Sequence, residues 1–151
     1  MNCMIIVENI VTNKGKQQPL ERDIVALDWE GRQKSRQRLF TKAGRQLGLA
    51  LPTGTILTPG DVLYRNAEIE IVVQGVPEEV FVLHPETRDE FGLMCYQIGN
   101  LHRPVGFQGN AILIPYESVL ENQLDRLGYA YTIEKRIFTH AARQSHNPHV
   151  H

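Results

Sequence analysis

The side chains in this chain best placed to do chemistry are its six histidines. Four of them, His140, His146, His149 and His151, fall in the last twelve residues, leaving only His84 and His102 for the preceding 139. Neutral imidazole is a common metal ligand and suits nickel, copper and zinc better than magnesium or calcium. His149 and His151 are two apart, so an extended chain turns both rings to the same side, where they can chelate one ion or carry it to another ligand set. His146 and Pro148 keep the segment out of a helix. The interspersed order His-Asn-Pro-His-Val-His is unlike an affinity tag, and a His-rich tract points to metal binding. An incidental polar tail is the competing reading.

His102 is the second element. It follows Gly99-Asn100-Leu101 and precedes Arg103-Pro104, directly after a helical stripe. A helix C-terminus carries roughly half a unit of negative charge, which favours a nearby cation by a few tenths to about 1 kcal/mol. One imidazole is not a metal site, but in a two-fold dimer with this turn near the axis two copies of His102 converge. On spacing alone, a histidine hydrogen-bonded to the last carbonyls of its helix is the simpler explanation.

Other chemistry is sparse. Cys3 and Cys95 are far apart with no CxxC pair, so both are expected to be reduced and Cys95 buried. No HExxH, P-loop or GxSxG occurs, and the acids and serines sit at turns and caps, so the chain reads as a non-enzyme. Histidines on a tail suit capture and release of an ion rather than a catalytic metal, which needs fixed, supported ligands. A basic stretch, Arg32, Lys34, Arg36, Arg38, Lys42 and Arg45, contains no acid. It supports an alternative function, a non-enzymatic RNA- or protein-docking adaptor, although a solvated strand face explains it more simply. Only Phe40 interleaves aromatically, which argues against base stacking.

The elements that must position these residues follow from periodicity. Ile5 to Val7, Asp23 to Trp29, Ser35 to Phe40, Leu47 to Leu51 and Glu68 to Gln74 read as short strands separated by turn residues, with no helical stripe before residue 76. After a strand at Val80 to Leu83, the apolar positions Phe91, Met94, Cys95, Ile98 and Leu101 form a helical stripe, with a Thr87–Glu90 capping box and Gly99 as its left-handed terminus. Leu120, Leu124 and Leu127 repeat the device, with Ser118–Glu121 as the box and Gly128 as the stop. Strands near Pro104 to Phe107, Ala111 to Pro115 and Tyr129 to Phe138 complete a β-α-β-β-α-β order, the split βαβ, ferredoxin-like arrangement. The expected fold class is α+β: residues 1–75 a small all-β domain, 76–138 a ferredoxin-like domain, and 139–151 a flexible His-containing tail.

Composition bounds the rest. With 151 residues, 42% apolar and 22% charged, the chain is ordinary globular material, and halves of about 75 residues are marginal alone, so oligomerisation is expected. A net charge of -1 gives no global attraction to nucleic acid, and no apolar run approaches the roughly 20 residues of a membrane span. Neither nucleic acid nor membrane is therefore an expected partner. With no secretory signal in Met1 to Ile10, cytoplasm is the default.

With these pieces in place, the chain resembles the urease accessory protein UreE family of nickel metallochaperones. The resemblance runs from about Asp23 to Phe138: Arg36-Gln37-Arg38 with Thr41 and Gly44, the leucine-rich strand, Gly60-Asp61-Val62-Leu63, Val80 to Pro85, and Gly99-Asn100-Leu101-His102. It implies that residues 1–75 bind peptide or partner protein, that 76–138 bind metal and dimerise with 139–151 as a metal-binding tail, and that His102 of both subunits binds one Ni(II) ion as cargo, with tail histidines completing the coordination. Two dimers joined around one metal is an arrangement it leaves open. It further implies delivery of nickel to apo-urease together with the urease accessory GTPase. Zn(II) or Cu(II) competes for the same ligands, since affinity order alone favours copper. Some members carry further histidines near the start of the second helix, where this chain has Tyr116 and Ser118, so no extra internal site is implied. Imidazole binds metal only when neutral, and its ordinary pKa of about 6.5 predicts loading above about pH 7 and release toward about pH 5.5.

Overall fold

Alternation at a period of two sends every other side chain of a strand to one face, and the first half of the chain uses it throughout. The computed structural model describes residues 3–12 and 21–141 and divides into two compact units, Met1–Val76 and Pro77–His151. The first contains β1 (Ile5–Val7), β2 (Glu21–Leu27), α1 (Trp29–Gln33), β3 (Arg36–Phe40), β4 (Gln46–Ala50), β5 (Val62–Arg65) and β6 (Ile69–Gly75). They form two three-stranded sheets, β1-β4-β3 and β2-β6-β5. β1 runs parallel to β4 and β2 parallel to β6, whereas β3–β4 and β5–β6 are antiparallel. The inward residues Val7, Leu47 and Leu49 of one sheet join Val25, Leu27, Ile71 and Val73 of the other in one buried cluster. Burying each such side chain is worth about 1.5–3 kcal/mol.

This unit is not all-β. The expected strand from Asp23 to Trp29 stops at Leu27, and the chain enters the five-residue helix α1, whose N-cap Asp28 accepts a 2.7 Å hydrogen bond from the Gly31 amide. A helix this short completes little more than one turn, too little for a repeating apolar stripe.

The second unit contains β7 (Glu78–Leu83), α2 (Arg88–Asn100), β8 (Gly106–Gln108), β9 (Ala111–Pro115), α3 (Ser118–Leu127) and β10 (Thr132–Arg136). Its sheet runs β10-β7-β9-β8, every neighbouring pair antiparallel. Phe81, Leu83, Ile112 and Ile114 on one face of the sheet pack with Met94 and Ile98 of α2 and Leu120 and Leu124 of α3. No helix among the described residues is long and apolar enough to cross a membrane.

The caps differ in detail from the sequence expectation. The Thr87 hydroxyl accepts from the Glu90 amide as expected, but the Glu90 carboxylate reaches back to the Glu86 amide rather than to that of Thr87. Ser118 does not cap α3. Glu117 occupies the N-cap without a side-chain cap bond, and its carboxylate is ion-paired with Arg103. Gly128 ends α3 in the left-handed conformation, as expected.

Candidate metal-binding site

Helix α2 runs one residue past Gly99, and its end is tightened by the Leu101 amide donating to Ile98 and the His102 amide to Gly99, both at 3.0 Å. These are bonds to the third residue back, the usual way a helix satisfies its final carbonyls. The left-handed position expected at Gly99 falls instead on His102, with φ +58°, and among the described residues it is the one non-glycine with positive φ. That conformation costs an L-residue roughly 1–2 kcal/mol, less for histidine than for a branched side chain. His102 therefore does cap its helix, but with its backbone. Its side chain is left exposed at a helix terminus whose last turn carries no basic residue.

The chain beyond His102 is tied down on both sides. Arg103 pairs with Glu117 at the start of α3. Val105 accepts a 2.7 Å hydrogen bond from the Ala141 amide, and Phe138 just upstream is fully buried. At Gly106 the approach is so close that a Cβ there would run into the Thr139 carbonyl oxygen. The segment leading to the tail is thus held three residues from His102. Sequence periodicity gives no hint of this: Gly106 falls inside the expected strand Pro104 to Phe107, and only its packing against Thr139 shows its use.

Among the described residues no group of three or more His, Cys, Asp or Glu side chains is placed to hold a metal ion. His102 can supply one neutral imidazole. His146, His149 and His151 lie outside the described residues. His84 follows β7 and is exposed, and His140 is partly buried beside Ala141. Cys95 is partly buried on α2, where burial pushes its thiol pKa up and disfavours the metal-binding thiolate. Tyr116, just before α3, donates its hydroxyl to Glu121; that bond, more than burial, raises its pKa.

The basic stretch is less available than its spelling implies. Arg32 is fully buried, with its guanidinium 5.8 Å from the Trp29 ring centre and its carbonyl accepting from the Leu57 amide. Arg45 is paired with Asp23 at 2.8 Å and Glu21 at 3.2 Å, and Lys42 donates to Gln74 at 3.0 Å. Burial opposes ionisation of Asp23, but the Thr41 hydroxyl, Arg45 and the Ile24 and Ala43 amides outweigh it and hold its pKa below the ordinary 3.8. The acids that neutralise Arg45 come from β2, more than twenty residues away, so a local charge count misses them. Lys34, Arg36 and Arg38 remain exposed.

Comparison with known proteins covers both units. Residues 6–74 match the family described as UreE urease accessory protein, N-terminal domain, and residues 78–151 its C-terminal domain. The chain is 40% identical over 118 residues to the urease accessory protein UreE of Synechococcus sp. (strain JA-3-3Ab), covering 78% of this chain and 79% of that one. It is 35% identical to the proteins of the same name from Staphylococcus carnosus, over 97% of this chain and 99% of the relative, and Geobacillus kaustophilus, over 97% and 96%.

Proposed function

The chain belongs to the UreE urease accessory protein family, and from that premise we propose that it is a nickel metallochaperone, delivering Ni(II) to apo-urease during assembly of the urease active site. The observation that carries this reading is the exposed, left-handed His102 at the end of α2 with the tail-bearing segment fastened to Val105, three residues further on. His102 of two subunits in a cytoplasmic homodimer supplies a docking pair of imidazoles, and His146, His149 and His151 add tethered ligands. Val105 is at most about 11 Å along the chain from His102, while five residues from Ala141 to His146 reach about 18 Å and ten to His151 about 35 Å. The tail is therefore long enough to bring its histidines to His102. Tethering raises their effective concentration there, and exchanging them one at a time hands the ion on.

The chemistry is capture and transfer rather than catalysis, and the urease accessory GTPase is the expected partner. The strand order β10-β7-β9-β8, with helices α2 and α3 on one face, supports the ferredoxin-like reading of residues 76–138. The test is isothermal titration of tag-free, metal-stripped protein with nickel at neutral pH, with its mass measured in the same buffer. About one tight site per dimer, lost in His102→Ala while the dimer persists, is expected. Unchanged stoichiometry and affinity in that variant would remove His102 from the site.

A further inference from the structure

The charge beside His102 governs how well a dication is held there, and this chain carries a full positive charge on the very next residue, Arg103. We propose that Glu117 is a positioning residue for metal capture: by pairing with Arg103 it cancels that charge and holds the guanidinium at the start of α3. The inference rests on the reading of His102 as the docking histidine, and it deepens that reading by assigning the groups that set the strength of the site.

The argument starts from the charges at the end of α2. The helix C-terminus contributes about half a unit of negative charge, and its last turn carries no basic residue to offset it. Arg103 follows His102 directly, its Cα about 3.8 Å away. Left alone, a full positive charge at that position outweighs the helix terminus and opposes a dication. The Glu117 carboxylate pairs with the Arg103 guanidinium and removes the opposition, so the partial negative charge of the helix end is what an ion at His102 meets. With two His102 rings on one ion, as in a two-fold dimer, the compensation acts twice.

The fold brings the two residues together across the β8–β9 hairpin. The Tyr116 amide donates to the Glu79 carbonyl at 3.1 Å and so anchors the entry to α3 against β7. Glu117 then stands at the N-cap in extended backbone, with φ -146° and ψ 138°, and makes no side-chain bond to the helix it precedes. Its carboxylate is given to Arg103 instead. The left-handed His102 precedes Arg103 and Pro104, whose ring fixes φ, follows it. The ion pair thus pins a residue that lies between two restricted ones.

The Arg103 side chain is 27% exposed and that of Glu117 52%. Water at that exposure leaves the pair a minor contributor to stability, so substitutions here should not unfold the protein. Its field nevertheless reaches a neighbouring ion, because screening acts over about 10 Å at about 0.1 M salt.

The test titrates full-length, tag-free, metal-stripped protein with nickel at neutral pH in a calorimeter, with thermal midpoints recorded for every variant. At low salt Glu117→Gln should weaken the tight site roughly three- to tenfold without changing its stoichiometry. Arg103→Gln should bind at least as tightly as the unaltered protein, and the double variant should return to within about twofold of it. At about 1 M salt, where the screening length is about 3 Å, the deficit of Glu117→Gln should disappear. Equal losses in both single variants that the double variant does not recover, or a deficit indifferent to salt, would make the pair a plain structural latch and overturn the inference. So would unchanged affinity in Glu117→Gln when His102→Ala has lost the tight site. A tight site that survives His102→Ala removes the docking histidine itself and the inference with it, and that variant alone tells the two failures apart.

Discussion

The Ala141 amide donates to the Val105 carbonyl at 2.7 Å, three residues past His102. That one bond ties the origin of the C-terminal tail to the segment that follows the exposed histidine, and Gly106 and Phe138 hold the arrangement from either side.

Gly106→Ala tests the arrangement. The new Cβ meets the Thr139 backbone, which cannot rotate away as a side chain would, so the segment must shift, costing about 1–3 kcal/mol of stability. If this segment presents the tail to His102, nickel affinity falls as well. In protein lacking residues 142–151, the same substitution should leave nickel affinity unchanged in calorimetry. An equal loss with and without the tail would place the effect elsewhere.

His102→Gly should stabilise the metal-free protein by up to about 1 kcal/mol, because glycine takes the left-handed conformation without a Cβ penalty. His102→Ala should not, since alanine inherits the strain. Both are expected to lose the tight nickel site. Scanning calorimetry separates the two: a midpoint raised in the glycine variant alone identifies a residue kept at a cost in stability.

Asp23→Asn should change acid stability. The folded-state pKa of Asp23 is depressed, so its ionised form stabilises the fold at pH above its unfolded pKa of about 4, and that contribution disappears as pH falls through the lower folded value. The variant loses it at neutral pH, about 1.5–3 kcal/mol for hydrogen bonds to a buried charge, and shows a flatter dependence below about pH 4. Trp29, the single tryptophan, lies in the same unit and reports urea midpoints from pH 2 to 7. Parallel pH curves for the two proteins would mean Asp23 titrates normally.

Deleting Ser145 to His151 should weaken nickel binding by about tenfold or more, through loss of tethered ligands, with the thermal midpoint unchanged. A large fall in midpoint would make the tail part of the folded structure.

The sequence by itself determined what short-range chemistry decides. The stripe of Phe91, Met94, Ile98 and Leu101 and the Thr87 cap are set within one helix, so periodicity reads them directly, and the alternation of Leu47 and Leu49 likewise marks a strand and its inner face. What only the tertiary structure decided involves partners far apart in the chain. β1 and β4 are parallel neighbours about forty residues apart, and no turn signal announces a parallel pair. Arg32 and Arg45 look like neighbours in one basic surface, but burial beside Trp29 and pairing with Asp23 and Glu21 remove them from it. His102 carries a positive φ where Gly99 was expected to, because α2 extends to Asn100 before it turns. A pattern in sequence records which side chains must be buried, but the partner that buries or neutralises them is chosen by long-range packing, where the free-energy gain of contact must exceed the entropy of closing the loop between them.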